Sequence, residues 1–95
     1  MTLQAVPTQQ VDDERVRITR WDFAPGAATG FHVHDYPYAV TYLTDAVLKI
    51  VDRDGAESIV EMKAGGSYSR PRGVAHDVIN AGSAPMAFVE VEIKG

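Results

Sequence analysis

The chain contains no cysteine. That excludes disulfides, thiolate catalysis and zinc–sulfur sites, and it leaves the redox compartment undecided. Basic residues are in deficit: nine Lys and Arg stand against thirteen Asp and Glu, a formal net charge of −4. The electrostatic footprint of nucleic-acid binding is missing, so no nucleic-acid partner is expected. No apolar run approaches the roughly 20 residues that a membrane span needs. Met1 to Gln10 lacks the basic start and apolar stretch of a signal peptide. No membrane partner is expected, and a cytoplasmic location is the default expectation. Helical periodicity is also lacking. What is there is a chain of 95 residues, 45% hydrophobic, the length and composition of a single globular domain over residues 1–95.

The punctuation is that of an all-β protein. A polar arm, residues 1–14, leads into Arg15 to Phe23, where charged and apolar residues intermix as in an exposed or edge strand. Pro25-Gly26 and Thr29-Gly30 break the run before a short extended segment, Phe31 to His34. Tyr38 to Leu43 and Ala46 to Val51 are rich in β-branched and aromatic residues. Asp54-Gly55 predicts a hairpin, because glycine supplies the positive φ that tight turns require. Ser58 to Met62, Ser67 to Arg70, Ala75 to Asn80 and Met86 to Ile93 complete about eight strands, separated by Gly65-Gly66, Pro71/Gly73, Gly82 and Pro85. A turn signal about every ten residues predicts a sandwich or small barrel.

The three histidines, His32, His34 and His76, are the chemically pointed feature. His32 and His34 are spaced i, i+2, which places both side chains on one face of an extended strand. His76 follows the turn Pro71-Arg72-Gly73. Neutral imidazole is the commonest metal ligand, and three on converging strands form a triad with coordination positions left open.

Two segments carry a family pattern. Gly65, Pro71, Gly73, His76 and Asn80 fill every fixed position of G-x5-P-x-G-x2-H-x3-N, and Gly26, His32 and His34 fill the opening of G-x5-H-x-H. Together they resemble the second and first motifs of the cupin family, over about Trp21 to Asn80. The resemblance implies a jelly-roll barrel, a double-stranded β-helix, holding a metal inside its open end through His32, His34 and His76. Trp21, the Gly26 loop and the closing Phe88-Val89-Glu90-Val91-Glu92 are similar to small stand-alone cupins associated with catabolism, including β-alanine degradation.

The chain also departs from the pattern. The family's glutamate falls at Tyr38 or Ala39, and its later glycine at Asp45 or Ala46. Asp45 is expected to take the left-handed turn that the glycine supplied. Without the glutamate, a divalent metal on three neutral histidines keeps a charge of about +2. Such a site favours an anionic, chelating small molecule, and it selects zinc, iron(II), nickel or copper over magnesium. A cofactor of one divalent transition metal per chain is therefore expected. If the strand runs without a bulge, Tyr38 and Tyr42 share the face of His32 and His34. Tyr38 then either acts as acid/base, its phenol acidified by the cation, or fills the volume the glutamate left.

Other residues admit plainer readings beside functional ones. Tyr42, Arg70 and Glu90 are candidate substrate-binding groups, although a solvated face explains Arg70 and Arg72 equally well. Glu90 and Glu92 alternate with Val89, Val91 and Ile93, which predicts one apolar face and one solvent-exposed, charged face. Trp21, Phe23, Phe31 and Phe88 are expected in the core, Pro71 and Gly73 in a turn, and Asn80 in backbone hydrogen bonding. Open sheet edges and an arm with few turn signals point to a homodimer, as does the family resemblance. Function divides between a metalloenzyme on a small carboxylate or carbonyl compound (dioxygenase, lyase, isomerase or hydrolase) and a binding or sensor module without turnover. A purely structural role is the third option.

Overall fold

Strand alternation and turn chemistry together set the architecture, seen here in a computed structural model that describes residues 3–95. Nine strands follow one another: β1 (Val6–Asp12), β2 (Val16–Phe23), β3 (His32–Val33), β4 (Tyr38–Tyr42), β5 (Ala46–Asp52), β6 (Glu57–Met62), β7 (Ser67–Arg70), β8 (Ala75–Asn80) and β9 (Met86–Ile93). They form a five-stranded sheet, β1-β2-β9-β4-β7, and a four-stranded sheet, β3-β8-β5-β6. Every strand pair is antiparallel. There is no helix among the described residues, hence none long and apolar enough to cross a membrane.

Cross-strand register stacks the interior in layers. On the inner face of the five-stranded sheet, Phe23 meets Met86, Trp21 meets Phe88, Thr19 meets Glu90 and Arg17 meets Glu92. Across β9, Tyr42, Val40 and Tyr38 lie opposite Phe88, Glu90 and Glu92. One end is thus closed by aromatic packing, with Phe88 ring centroids 5.3 Å from Phe23 and 5.2 Å from Tyr42. The other end is lined by polar groups. Leu48 and Val78 face these residues from the opposite sheet as part of the same core.

The sequence expectations need correction at several points. The arm folds onto its own chain: residues 6–12 form β1, paired along one edge with β2. The turn that folds it is Asp13, whose Oδ1 accepts hydrogen bonds from the Arg15 and Val16 amides at 2.8 and 2.9 Å. β2 is consequently an inner strand of its sheet and not an edge. Glu90 and Glu92 face the interior, because the outward face of β9 is the one carrying Val89 and Val91; Glu90 is only 9% exposed. Phe31 is 56% exposed and lies outside the core. Among the described residues only glycines have positive φ, so Asp45 is not left-handed; its carboxylate instead accepts the Ala64 amide at 2.9 Å. The Asp54-Gly55 hairpin forms, with Gly55 at φ 83° and the turn closed on the Asp52 carboxylate.

Asn80 acts where the sheets meet the Gly26 loop. Its side-chain amide donates to the carbonyls of Phe23 (3.3 Å) and Ala84 (2.9 Å), and its Oδ1 accepts from the Gly82 amide (3.0 Å). Asn80→Ala would leave these buried groups unmatched, and we expect a loss of about 2 to 3 kcal/mol in urea unfolding. A loss near zero would mean that water replaces the amide.

Candidate metal centre

The centre is assembled by backbone contacts to β8. Residues 24–31 run along that strand: Gly26 N–H donates to Asn80, Asn80 N–H to Ala27 and Thr29 N–H to Val78, at 2.9–3.0 Å. The Gly30 amide reaches the Asp77 carboxylate at 3.1 Å. The segment therefore enters β3 in register, with His32 directly opposite His76. The ladder continues past β3, where the His34 amide donates to Val74 and the Gly73 amide to the His34 carbonyl, both at 2.9 Å. Gly73 has φ 95°, a conformation that a side chain would strain. Pro71 and Gly73 hence fold the turn that clamps His34.

The three imidazoles converge. Nε2 of His34 lies 3.0 Å from Nε2 of His32 and 3.1 Å from Nε2 of His76. Their rings stand at 71–89° to one another. His32 Nδ1 lies 2.8 Å from the Gly30 carbonyl, which can only accept; that nitrogen carries the hydrogen and Nε2 keeps its lone pair. Burial, then the neighbouring His32, lowers the pKa of both His34 and His76 to about 4. At neutral pH both rings are neutral, so each can offer an Nε2 lone pair to a cation placed between them. At a metal–nitrogen distance of about 2.1 Å, ligand nitrogens lie about 3.0 Å apart at a right angle and about 3.4 Å apart at the tetrahedral angle. The two spacings from His34 fit a right angle at such an ion, and the donor set fits a metal.

Around the centre lies a cavity of about 250 Å³. Tyr38 lines it and stacks on His34, ring centroids 3.8 Å apart and planes within 14°. It does so by a different route from that expected, because Asp35-Tyr36-Pro37 crosses between sheets and β3 does not continue into β4. The Tyr38 hydroxyl is buried without a hydrogen-bond partner. Burial, with Tyr68 and Glu90 adding to it, holds its phenol above the ordinary value; acidification would have to come from a cation. Glu90 lines the cavity as well, its carboxyl pushed up to about 7 by burial and the nearby Glu92, against the opposing effects of Trp21 and Arg17.

Tyr42 and Arg70 are placed elsewhere. Tyr42 belongs to the core beneath the cavity, its hydroxyl 3.2 Å from that of Tyr68, and burial raises its pKa. Arg70 is exposed at the sheet edge, its guanidinium 4.7 Å over the Tyr68 ring. Neither lines the cavity. The residue that sequence reasoning missed is Arg17, which lines the mouth and grips Glu92 through two hydrogen bonds of 3.0 and 2.7 Å. The alternation Arg17-Thr19-Trp21-Phe23 was the available signal, since it puts Arg17 on the face of two aromatics.

The lowered histidine pKa values have a consequence for stability. Unfolded histidines take up protons near pH 6.5, whereas folded His34 and His76 resist until about 4. The unfolded chain then binds more protons, so stability present above pH 6.5 is lost as pH falls toward 4. We expect the urea midpoint of the metal-free protein to drop across that window. The drop should be shallower in His34→Gln/His76→Gln, and equal slopes would refute the cause.

Comparison with known proteins accords with this geometry. A family model described as the cupin domain matches residues 19–92. The β-alanine degradation protein BauB of Pseudomonas aeruginosa is 48% identical over 91 residues, spanning 96% of this chain and 95% of the relative. The crystal structure of a cupin domain from Bordetella pertussis superposes with a TM-score of 0.94 at 41% identity, covering 100% of this chain and 98% of that one. The polyketide cyclase RemF from Streptomyces resistomycificus shares the fold, with a TM-score of 0.74 at 19% identity over 99% of this chain and 70% of its own.

Proposed function

This chain belongs to the cupin family, and from that premise we propose that it is a metalloenzyme acting on a small anionic carboxylate or carbonyl compound. The observation that carries this reading is the convergence of three histidine Nε2 atoms, two of their separations being 3.0 and 3.1 Å, at the wall of a cavity. His32, His34 and His76 hold one divalent transition metal per chain, from the group zinc, iron, nickel and copper. The right-angled spacing of His34 to its two neighbours suits six-coordinate ions such as iron(II) and nickel. When bound, the metal supplies Lewis acidity to a carboxylate or carbonyl oxygen, and iron(II) would suit dioxygenase chemistry.

The protein's own groups do the rest. The Gly30 carbonyl fixes the His32 tautomer, and burial keeps His34 and His76 neutral. Tyr38, stacked on His34 with a free hydroxyl, is the acid/base group. Glu90 meets the substrate inside the cavity, whereas Tyr42 and Arg70 lie outside its wall and have no contact with the substrate. The relative named for β-alanine degradation supports a small catabolic carboxylate as the substrate class. The apolar patches of Val40, Val78 and Phe88 in the cavity wall favour a second reading, a cupin that holds its ligand without turnover.

β1 has its outer edge unpaired in the sheet order and exposes Val6 and Val11. A homodimer formed along that edge is part of the proposal. Sedimentation equilibrium should give twice the 10.3 kDa chain mass; a monomer overturns it. For the metal, elemental analysis of the purified protein beside His34→Ala is decisive. Near-stoichiometric metal, lost in the variant, is expected. If neither protein takes up zinc, iron, nickel or copper on incubation with their salts, the metalloenzyme reading fails.

A further inference from the structure

Two buried polar groups of the cavity are incompletely matched by the protein: Glu90 is hydrogen-bonded by the Trp21 side chain but forms no ion pair, and the Tyr38 hydroxyl has no partner. Glu90 is 9% exposed and lies between Thr19 of β2 and Val40 of β4. Arg17, the cation among the residues lining this cavity, is held by Glu92 in a two-bond grip. Glu92 is therefore compensated and Glu90 is not. The second group is the Tyr38 hydroxyl, on a residue 2% exposed and without a hydrogen-bond partner. A buried carboxyl without a counter-charge and a buried hydroxyl with nothing to bind are costly, and such groups persist where a ligand completes them.

The cavity wall thus carries groups of opposite character. Three histidines converge on one part of it, which becomes cationic once a metal is held. The Glu90 carboxyl, without an ion-pair partner, and the phenol of Tyr38, whose ring stacks on His34, line the same space. At about 250 Å³ the space falls below the roughly 300–1,000 Å³ of pockets for drug-sized ligands. We propose that Glu90 binds the ammonium group of a small amino-carboxylate, with the Tyr38 oxygen as second acceptor, while the ligand's carboxylate lies toward the histidine cluster. The inference rests on the reading of that cluster as a metal centre for small carboxylates.

An ammonium group fits better than a hydroxyl for two reasons. It brings the charge that Glu90 lacks, which makes the hydrogen bond charge-assisted. It also carries three donors, enough to serve both Glu90 and Tyr38 at once. Burial that holds the Glu90 carboxyl near 7 agrees with a site waiting for a cation. Arg17 and Glu92 at the mouth neutralise each other and leave this polarity undisturbed.

The test is a titration of the zinc-loaded, ¹⁵N-labelled protein with 3-aminopropionate, 3-hydroxypropionate and propionate, read from amide shifts. The amino compound should bind at least about tenfold more tightly than either of the others. In Glu90→Gln that advantage should vanish, with propionate affinity changed by less than about twofold. Equal affinities for the amino and hydroxy compounds overturn the inference alone, as does an advantage that survives in Glu90→Gln. No shift with any of the three overturns the carboxylate reading of the metal centre and this inference with it. The wild-type comparison stands by itself should Glu90→Gln fail to fold.

Discussion

The pairing of residues 24–34 with β8 and the turn before it is the constraint on which the site depends. Segments distant in sequence are laid side by side by backbone hydrogen bonds from Gly26 to His34. None of those bonds involves a histidine side chain. The imidazoles are carried into place by main-chain geometry, and Gly73, at φ 95°, belongs to that geometry as much as any ligand does. Side-chain arrangement then follows from register, with His32 opposite His76 and His34 one step beyond. A histidine cluster held this way is preorganised, since its positions are set by the main chain and do not await an ion.

The barrel interior is graded. Phe23, Tyr42 and Phe88 close one end, Val40 and Glu90 form the middle, and Arg17, Glu92, Tyr38 and the histidines lie toward the mouth. Apolar packing stabilises the closed end, while the mouth is polar and buries charge at some cost. The five-stranded sheet supplies the acidic and phenolic groups of the cavity, and the four-stranded sheet with its adjoining loop supplies the imidazoles. Facing sheets therefore contribute complementary chemistry to one space.

Much of this was legible because it is written in backbone requirements. Gly65, Gly73, Pro71 and the i, i+2 histidines are local signals whose meaning needs no tertiary context. Strand positions from β2 to β9 followed from the same punctuation, within a residue or so. What was illegible is which face of an amphipathic strand points inward. Alternation in Glu90-Val91-Glu92 states that two faces differ, and the usual preference assigns the charged one to water. A barrel whose mouth is a polar cavity inverts that preference, so Glu90 and Glu92 lie inside. Arg17 escaped for the same reason. The arm's return onto β2 went unseen because Asp13, a single side chain accepting two amides, does the work of a glycine turn. Phe31 shows the converse, an aromatic residue left at the surface by a loop committed to β8.

The order of strands in the two sheets also bears on how the chain acquires its form. Only β1 with β2 and β5 with β6 are neighbours in both sequence and space; the Asp52–Gly55 turn can close the second pair early. β2 with β9, β4 with β9 and β3 with β8 must each bring together distant stretches, and such closures are slow because chain entropy is lost before contacts are gained. β3, two residues long, has too little ladder to hold itself in place before β8 is docked. The histidine cluster is accordingly a product of late assembly, and an incompletely folded chain carries three separate histidines and no site.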